Sequence, residues 1–290
     1  MQTLKLAFLG LGVMGFPMAG HLATEGHRVT VYNRTRGKAD AWHNQYGGVV
    51  CADPAEATKD ADIVFACVGG DDDLRAITLG FQGAFAQMRP DTIFVDHTTT
   101  SAAVARESAQ QAQRRGFHFL DAPVSGGQVG AQQGKLSIMV GGEEKIFERA
   151  RPFMECYARG VTHMGPVGAG QLTKMVNQIC VVGVMQGLAE GIDFGQRAGL
   201  DMHRVLQVLT QGAATSWQME NRGETMIARK FDFGFASDWM LKDLGICLDE
   251  AARNGATLEQ TRLIKDYFAE LHEQGKGRLD FSALIERLGA

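Results

Sequence analysis

Residues 4 to 9, Leu-Lys-Leu-Ala-Phe-Leu, form a short apolar run that ends in glycines. An amphipathic stretch continues to about Thr24, and a second apolar run, Arg28-Val-Thr-Val-Tyr32, comes after it. Run, amphipathic stretch and run again is the order of a β-α-β unit. Further strands are predicted at 61–69, 91–98, 116–125 and 135–142, with helical periodicity at about 37–46, 101–115 and 143–157. Strands alternating with helices predict a parallel-rich, doubly wound α/β sheet whose ligands lie at the carboxyl ends of its strands. After about residue 160 the alternation stops and the period becomes helical: 171–197, then 201–211, 218–229, 237–254, 257–274 and 281–288. The first of these spans roughly 40 Å at 1.5 Å per residue, which reads as a helix leaving one domain and opening the next. The expected division is a dinucleotide-binding domain over 1–165 and an all-helical domain over 166–290.

Composition narrows the class. With 290 residues, 45% hydrophobic and 21% charged, and a net charge of -4, the chain can bury a large core and has no general attraction for nucleic acid or an anionic membrane. Five scattered cysteines without C-x-x-C, and eight histidines without ligand spacing, point away from a disulfide framework and from a metal site and fit a reducing cytoplasm. The start, MQTLKLAFLG, runs directly into a strand pattern, and the apolar run at 179–185 is short for a membrane span, so neither a targeting signal nor an anchor is expected.

The first candidate chemistry is GLGVMG, with Gly10, Gly12 and Gly15 around Val13 and Met14, placed after the first strand and opening the first helix. In that position the first glycine allows a tight turn, the second lets the backbone approach a pyrophosphate, and the third lets helix and strand pack closely. The end of the second strand then selects the dinucleotide. An acid there would accept from the ribose hydroxyls of NAD, but this chain has VYNRTRGK. Asn33 stands at the acid's place, and Arg34 and Thr35, with Arg36 or Lys38 in reserve, suit a 2'-phosphate, so NADP is expected ahead of NAD. The alternative for the same residues is a solvated basic turn.

GAGQLTKMVNQ (168–178) puts Gln171, Lys174 and Asn177 on one face of a helix that soon turns apolar. Lys174 can either snorkel to water or act beside a nicotinamide, where an ammonium stabilises a carbonyl oxygen becoming an alkoxide and then protonates it. In DAPVSGG, the amides of Ser125, Gly126 and Gly127 with the serine hydroxyl form either a carboxylate-binding nest or a plain strand-to-helix turn.

Taken in order, GLGVMGFPMA, DAPVSGG, GAGQLTKMVNQ and GFASDWMLKDL (234–244) resemble the beta-hydroxyacid dehydrogenases over nearly the whole chain. That resemblance implies a Rossmann-type N-terminal domain, an all-α C-terminal domain joined to it by a long helix, and a site in the cleft between them. It implies Lys174 as acid/base, Asn177 as its polar partner, and Ser125, Gly126 and Gly127 as the substrate loop. It also implies Lys242 near the cofactor, Asp243 bracing the substrate site, and Thr99 by the nicotinamide ribose. The sequence departs from the pattern after the fourth strand, where Cys67-Val68-Gly69 and an acidic turn replace a proline-containing loop, so a looser cofactor loop is expected at Val68 and Gly69. It departs again at Ala102, where a proline is usual, and at Trp239, where a leucine is.

The reaction so implied is NADPH-dependent, reversible reduction of a small aldehyde acid of the semialdehyde or glyoxylate type to a hydroxy acid, by a cytoplasmic homodimer or homotetramer. The rivals are an imine reductase of the same architecture, against which Lys174 counts, and a non-catalytic dinucleotide-binding protein. His97 and His163 read as loop histidines, Arg222 as a second carboxylate clamp, and Trp217 and Phe235 as pocket or packing residues.

Overall fold

The computed structural model describes residues 3–288. The chain parts into two compact units, with the division between Lys174 and Met175. The first unit runs β1 (Lys5–Leu9), α1 (Gly15–Thr24), β2 (Arg28–Tyr32), α2 (Arg36–Tyr46), β3 (Val49–Val50), α3 (Pro54–Thr58), β4 (Ile63–Ala66) and α4 (Asp71–Leu79). It continues through β5 (Ile93–Asp96), α5 (Ala102–Arg114), β6 (His118–Asp121), β7 (Val124–Ser125), α6 (Gly127–Gln132), β8 (Leu136–Gly141), α7 (Glu144–Met154) and β9 (Ala158–Gly165).

The strands form one sheet in the order β3-β2-β1-β4-β5-β6-β8-β7, with β9 beside β8. The first six are parallel, β8 runs antiparallel to β6 and β7, and β9 is parallel to β8. The chain order therefore reverses between β1 and β4, and in a doubly wound sheet the crevice at the carboxyl ends of those two strands receives the ligand. Because successive strand residues face opposite ways, the sheet feeds two cores. Leu6, Phe8, Ile63, Phe65, Ile93 and Val95 enter one, while Ala7, Leu9, Val64, Ala66 and Phe94 enter the other. Burial on both faces is why these strands read as unbroken apolar runs.

The expected helices and central strands are present, and the differences have physical causes. Strand β9 was not expected, because its residues are mostly half-buried or exposed and carry no apolar alternation. The two-residue strands β3 and β7 are too short to leave a pattern. His97 is not in an open loop: it is 2% exposed at the end of β5. Its Nδ1 lies 2.6 Å from the Ala122 carbonyl and its Nε2 2.8 Å from the Tyr157 hydroxyl. A carbonyl only accepts, so Nδ1 carries the proton and Nε2 accepts from Tyr157.

Helix α8 (Ala169–Arg197) contains the division. The second unit adds α9 (Met202–Leu209), α10 (Trp217–Ile227), α11 (Ser237–Asn254) and α12 (Glu259–Glu273), then a 3-10 segment at Phe281–Arg287. Its core joins Val182, Met185, Ala189 and Ile192 of α8 to Leu206, Met240, Leu244, Ile264 and Phe268. By length and composition alone α8 could cross a membrane, which the short run at 179–185 did not suggest, but this stripe is packed into the helical core. Between α8, α9 and α10 lies an apolar cavity of about 350 Å³, lined by Val184, Leu188, Val205, Leu209 and Met219 among others.

Burial holds the His97 pKa down at about 4, and the bond to Ala122 opposes that only in part. An unfolded histidine titrates near 6.5, so the unfolded chain binds the extra proton first. The stabilisation is full above pH 6.5 and is lost as pH falls through about 4. We expect acidification from pH 7 to 5 to cost about 2 kcal/mol through this group. Urea unfolding at both pH values should show a shallower loss in His97→Asn; equal losses in the two proteins would contradict the assignment.

Candidate active site

In the first unit, β1 ends in a turn that only glycine fits. Gly10 has φ +97°, and a Cβ there would sit 2.2 Å from the Cys67 carbonyl oxygen after β4. A Cβ on Gly15 would lie 2.0 Å from the Gly10 carbonyl oxygen and 3.0 Å from Phe8, so α1 packs directly on the strand. At Gly12 an added methyl would meet nothing within 4 Å. The loop is thus tight at its two ends and open at its middle, and the open backbone at Gly12 fits a pyrophosphate. Leu11 N–H donates to Asn33 Oδ1 at 2.8 Å, and Asn33 Nδ2 donates to the Thr35 carbonyl at 2.9 Å. Asn33 therefore ties the turn after β2 to the loop after β1. Arg34 and Arg36 project from that turn and pair with Asp73 at 2.9 Å and Asp40 at 2.8 Å.

The loop after β4 is anchored despite lacking proline. Val68 N–H donates to Thr98 Oγ1 at 3.0 Å, and Thr98 N–H donates to Asp96 Oδ1 at 3.0 Å. The same Thr98–Thr100 segment, which carries Thr99, is gripped from α8. Gln171 Nε2 donates to the Thr98 carbonyl at 2.7 Å, and its Oε1 accepts from Thr100 N–H at 3.0 Å. Asp121 fixes the start of α8 independently: Oδ1 accepts from Gly168 N–H at 2.7 Å and Oδ2 from Gln171 N–H at 2.9 Å. Burial pushes the Asp121 carboxyl up to about 6, although these amides pull it down. Lys174, one turn beyond Gln171, is 8% exposed. Ser125 ends β7, opposite Ser137 of β8, and Gly126 (φ +129°) and Gly127 (φ +61°) lead into α6.

The second unit holds a polar chain of its own. Asn177 Nδ2 donates to Gln178 Oε1 at 2.8 Å, and Gln178 Nε2 donates to Asp243 Oδ2 at 2.5 Å. Asp243 Oδ1 lies 3.1 Å from Lys242 Nζ, which also sits 5.7 Å from the Trp239 ring centroid. Asn177, Lys242 and Asp243 are therefore linked, through a glutamine that sequence reasoning left without a role. Gln171 and Asp121 were likewise missed as anchors. Gln171 was already on the Lys174 face, and Asp121 opens DAPVSGG, so both stood inside motifs whose other residues drew attention.

Arg222 is placed differently from the expected clamp. Its guanidinium pairs with Asp280 at 3.1 Å and lies 5.0 and 4.9 Å from the Trp217 and Phe233 rings. Asp280 is fully buried and also accepts from Phe235 N–H, Ser282 N–H and Ser282 Oγ. That geometry serves the packing of the second unit, as does Phe235 against Phe281. His163 Nε2 is bonded to the Gly142 carbonyl at 2.8 Å. Among the described residues, no group of three or more His, Cys, Asp or Glu is arranged to hold a metal ion.

Sheet order and the glycine loop define a dinucleotide-binding unit of the Rossmann type. Residues 5–165 match the NAD binding domain of 6-phosphogluconate dehydrogenase, and residues 168–288 match the NAD-binding domain of NADP-dependent 3-hydroxyisobutyrate dehydrogenase. An uncharacterized oxidoreductase of Shewanella frigidimarina is 55% identical over 284 residues, 98% of each chain. The 2-hydroxy-3-oxopropionate reductase of Escherichia coli is 36% identical, covering 98% of this chain and 97% of its own. The solved structure of Mycobacterium tuberculosis 3-hydroxyisobutyrate dehydrogenase with L-serine superposes with a TM-score of 0.90 over the full length of both chains, at 32% identity. The chain belongs to the beta-hydroxyacid dehydrogenase family, oxidoreductases acting on CH–OH groups.

Asp121→Asn keeps the side chain's shape but turns one acceptor oxygen into a donor facing Gly168 or Gln171 N–H. An amide left unsatisfied in a buried setting costs about 1–3 kcal/mol, and denaturant unfolding should report a loss of that size. Unchanged stability would mean that α8 does not depend on this carboxylate.

Proposed function

We propose that the protein reduces a small aldehyde acid to the corresponding hydroxy acid with NADPH, reversibly, and that Lys174 moves the proton. The observation that carries this reading is an amine only 8% exposed, set one turn after a glutamine bonded to both sides of Thr99. Burying an ammonium is costly unless it is paired and hydrogen-bonded, and a substrate carbonyl oxygen would be one such partner. When bound, a nicotinamide would supply the hydride. Lys174 Nζ hydrogen-bonds the carbonyl oxygen, steadies the negative charge as it grows there, and gives up a proton as the C–H bond forms. In the oxidative direction the same amine, neutral, takes the hydroxyl proton back.

Ser125, Gly126 and Gly127 are proposed to hold the substrate carboxylate, with Thr99 beside the nicotinamide ribose, Asn177 supporting Lys174, and Lys242 and Asp243 bracing cofactor and substrate. The glycine loop Gly10, Gly12, Val13, Met14 and Gly15 receives the pyrophosphate, Val68 and Gly69 flank it, and Asn33, Arg34 and Thr35 favour the 2'-phosphate. A second matched domain description that names an NADP-dependent enzyme supports that preference. The E. coli relative is named for a three-carbon aldehyde acid, and a substrate of that size is our first choice. We also propose a cytoplasmic homodimer or homotetramer whose partner covers the apolar cavity beside α8.

Initial rates should be taken with NADPH against 2-hydroxy-3-oxopropionate, methylmalonate semialdehyde, succinic semialdehyde and glyoxylate. Lys174→Ala should lower kcat by about 10²- to 10⁴-fold while the Kd for NADPH stays the same. Full turnover in that variant would sink the assignment of the proton donor, and no turnover by the parent protein with any of the four would sink the substrate class.

A further inference from the structure

The acidic run Asp71-Asp72-Asp73 opens α4, and its three carboxylates have three different partners. Asp71 accepts from Ser101 N–H at 2.8 Å and from Ser101 Oγ at 2.5 Å, fixing the start of α5. Asp72 pairs with Arg75 on its own helix at 3.2 Å. Asp73 alone of the three reaches the turn after β2, where its Oδ1 lies 2.9 Å from Arg34 Nη1. Strands β2 and β4 are the two neighbours of β1. The Arg34–Asp73 pair therefore joins the turn after β2 to the helix after β4, bridging the two flanks of β1 at the carboxyl end where the phosphate loop begins.

We propose that Asp73 tunes the choice between NADP and NAD by competing with the 2'-phosphate for Arg34, an inference that rests on the proposed role of Arg34. The Arg34 side chain is 86% exposed and that of Asp73 37%, so the pair is open to exchange rather than locked. Guanidinium binds phosphate through a fork of N–H donors, and a carboxylate already on Nη1 occupies part of that fork. An arriving 2'-phosphate must displace Asp73 or share Arg34 with it at close range, like charge against like charge. NAD has a hydroxyl at that position and leaves the pair intact. Asp73 thus lowers the affinity for NADP and leaves that for NAD nearly unchanged, narrowing a preference that Arg34 creates. The next arginine, Arg36 at the start of α2, is paired with Asp40 on its own helix.

The test is the Kd of NADP+ and of NAD+, measured by isothermal titration on the full-length protein and on Asp73→Asn, Asp72→Asn, Arg34→Ala and the Arg34→Ala/Asp73→Asn pair. Removing one opposing charge a few ångströms away in water corresponds to about threefold to tenfold. Asp73→Asn should tighten NADP+ by that factor and move NAD+ less than twofold, and the gain should vanish in the Arg34→Ala background. Asp73→Ser serves the same measurement if the asparagine variant does not fold. An unchanged NADP+/NAD+ ratio in Asp73→Asn, or an equal gain in Asp72→Asn, overturns the proposal while leaving the role of Arg34 standing. If Arg34→Ala itself leaves the ratio unchanged, the NADP reading fails and this proposal falls with it.

Discussion

The arrangement around Lys174 depends on one buried carboxylate. Asp121 ends a parallel strand, and its two oxygens accept the amides of Gly168 and Gln171, so the first turn of α8 is held to the sheet before the helix leaves the first unit. The fit leaves no room for side chains. A Cβ on Gly141 would come 2.5 Å from Asp121 Oδ1, and one on Gly170 would come 2.4 Å from the Met139 carbonyl oxygen. A carboxylate at the N-terminus of a helix meets both the free amides and the positive end of the helix dipole. The amides offset only part of the desolvation, which still pushes its pKa upward. The lysine's place along the helix is set by this anchor, because one turn of α-helix separates the last anchored residue from the amine.

Much of the fold was legible because both cores impose strong periodicity. Strands buried on two faces give unbroken apolar runs, and the glycine spacing marks the turn by its position after one such run and at the opening of a helix. Helix α11 was expected at 237–254 and is found there, bounded by Gly255 in the left-handed conformation. What escaped notice lacked such signals. The edge strand β9 has no buried face to pattern it, and α3 is five residues long. At the site, the residue types offered for chemistry were visible, but the residues that orient them were not. A glutamine that bonds to backbone atoms, such as Gln171, leaves no partner in the sequence to match it with.

Arginines show the same limit from the other side. Arg34 and Arg222 are both plausible anion ligands by residue type, yet the side chain of Arg222 is 14% exposed and paired with a carboxylate that is 0% exposed, whereas Arg34 lies at the surface. Breaking the buried pair would strand an uncompensated charge, so Arg222 is committed to its fold. An exposed pair is worth little either way, which leaves Arg34 able to change partners. The difference is one of dielectric surroundings, and sequence alone does not give it.

Gln171 holds the Thr98–Thr100 segment by the carbonyl of one residue and the amide of another, that is, by backbone atoms on either side of Thr99. A link made to backbone is indifferent to which side chains the backbone carries. The hold on the lysine's helix therefore does not depend on which side chain stands at position 99, whereas Thr100, which is 0% exposed, is constrained by its packing. In evolutionary terms, the hold on the first turn of α8 and the side chain at position 99 are separable traits, because the bonds that make the one do not involve the other.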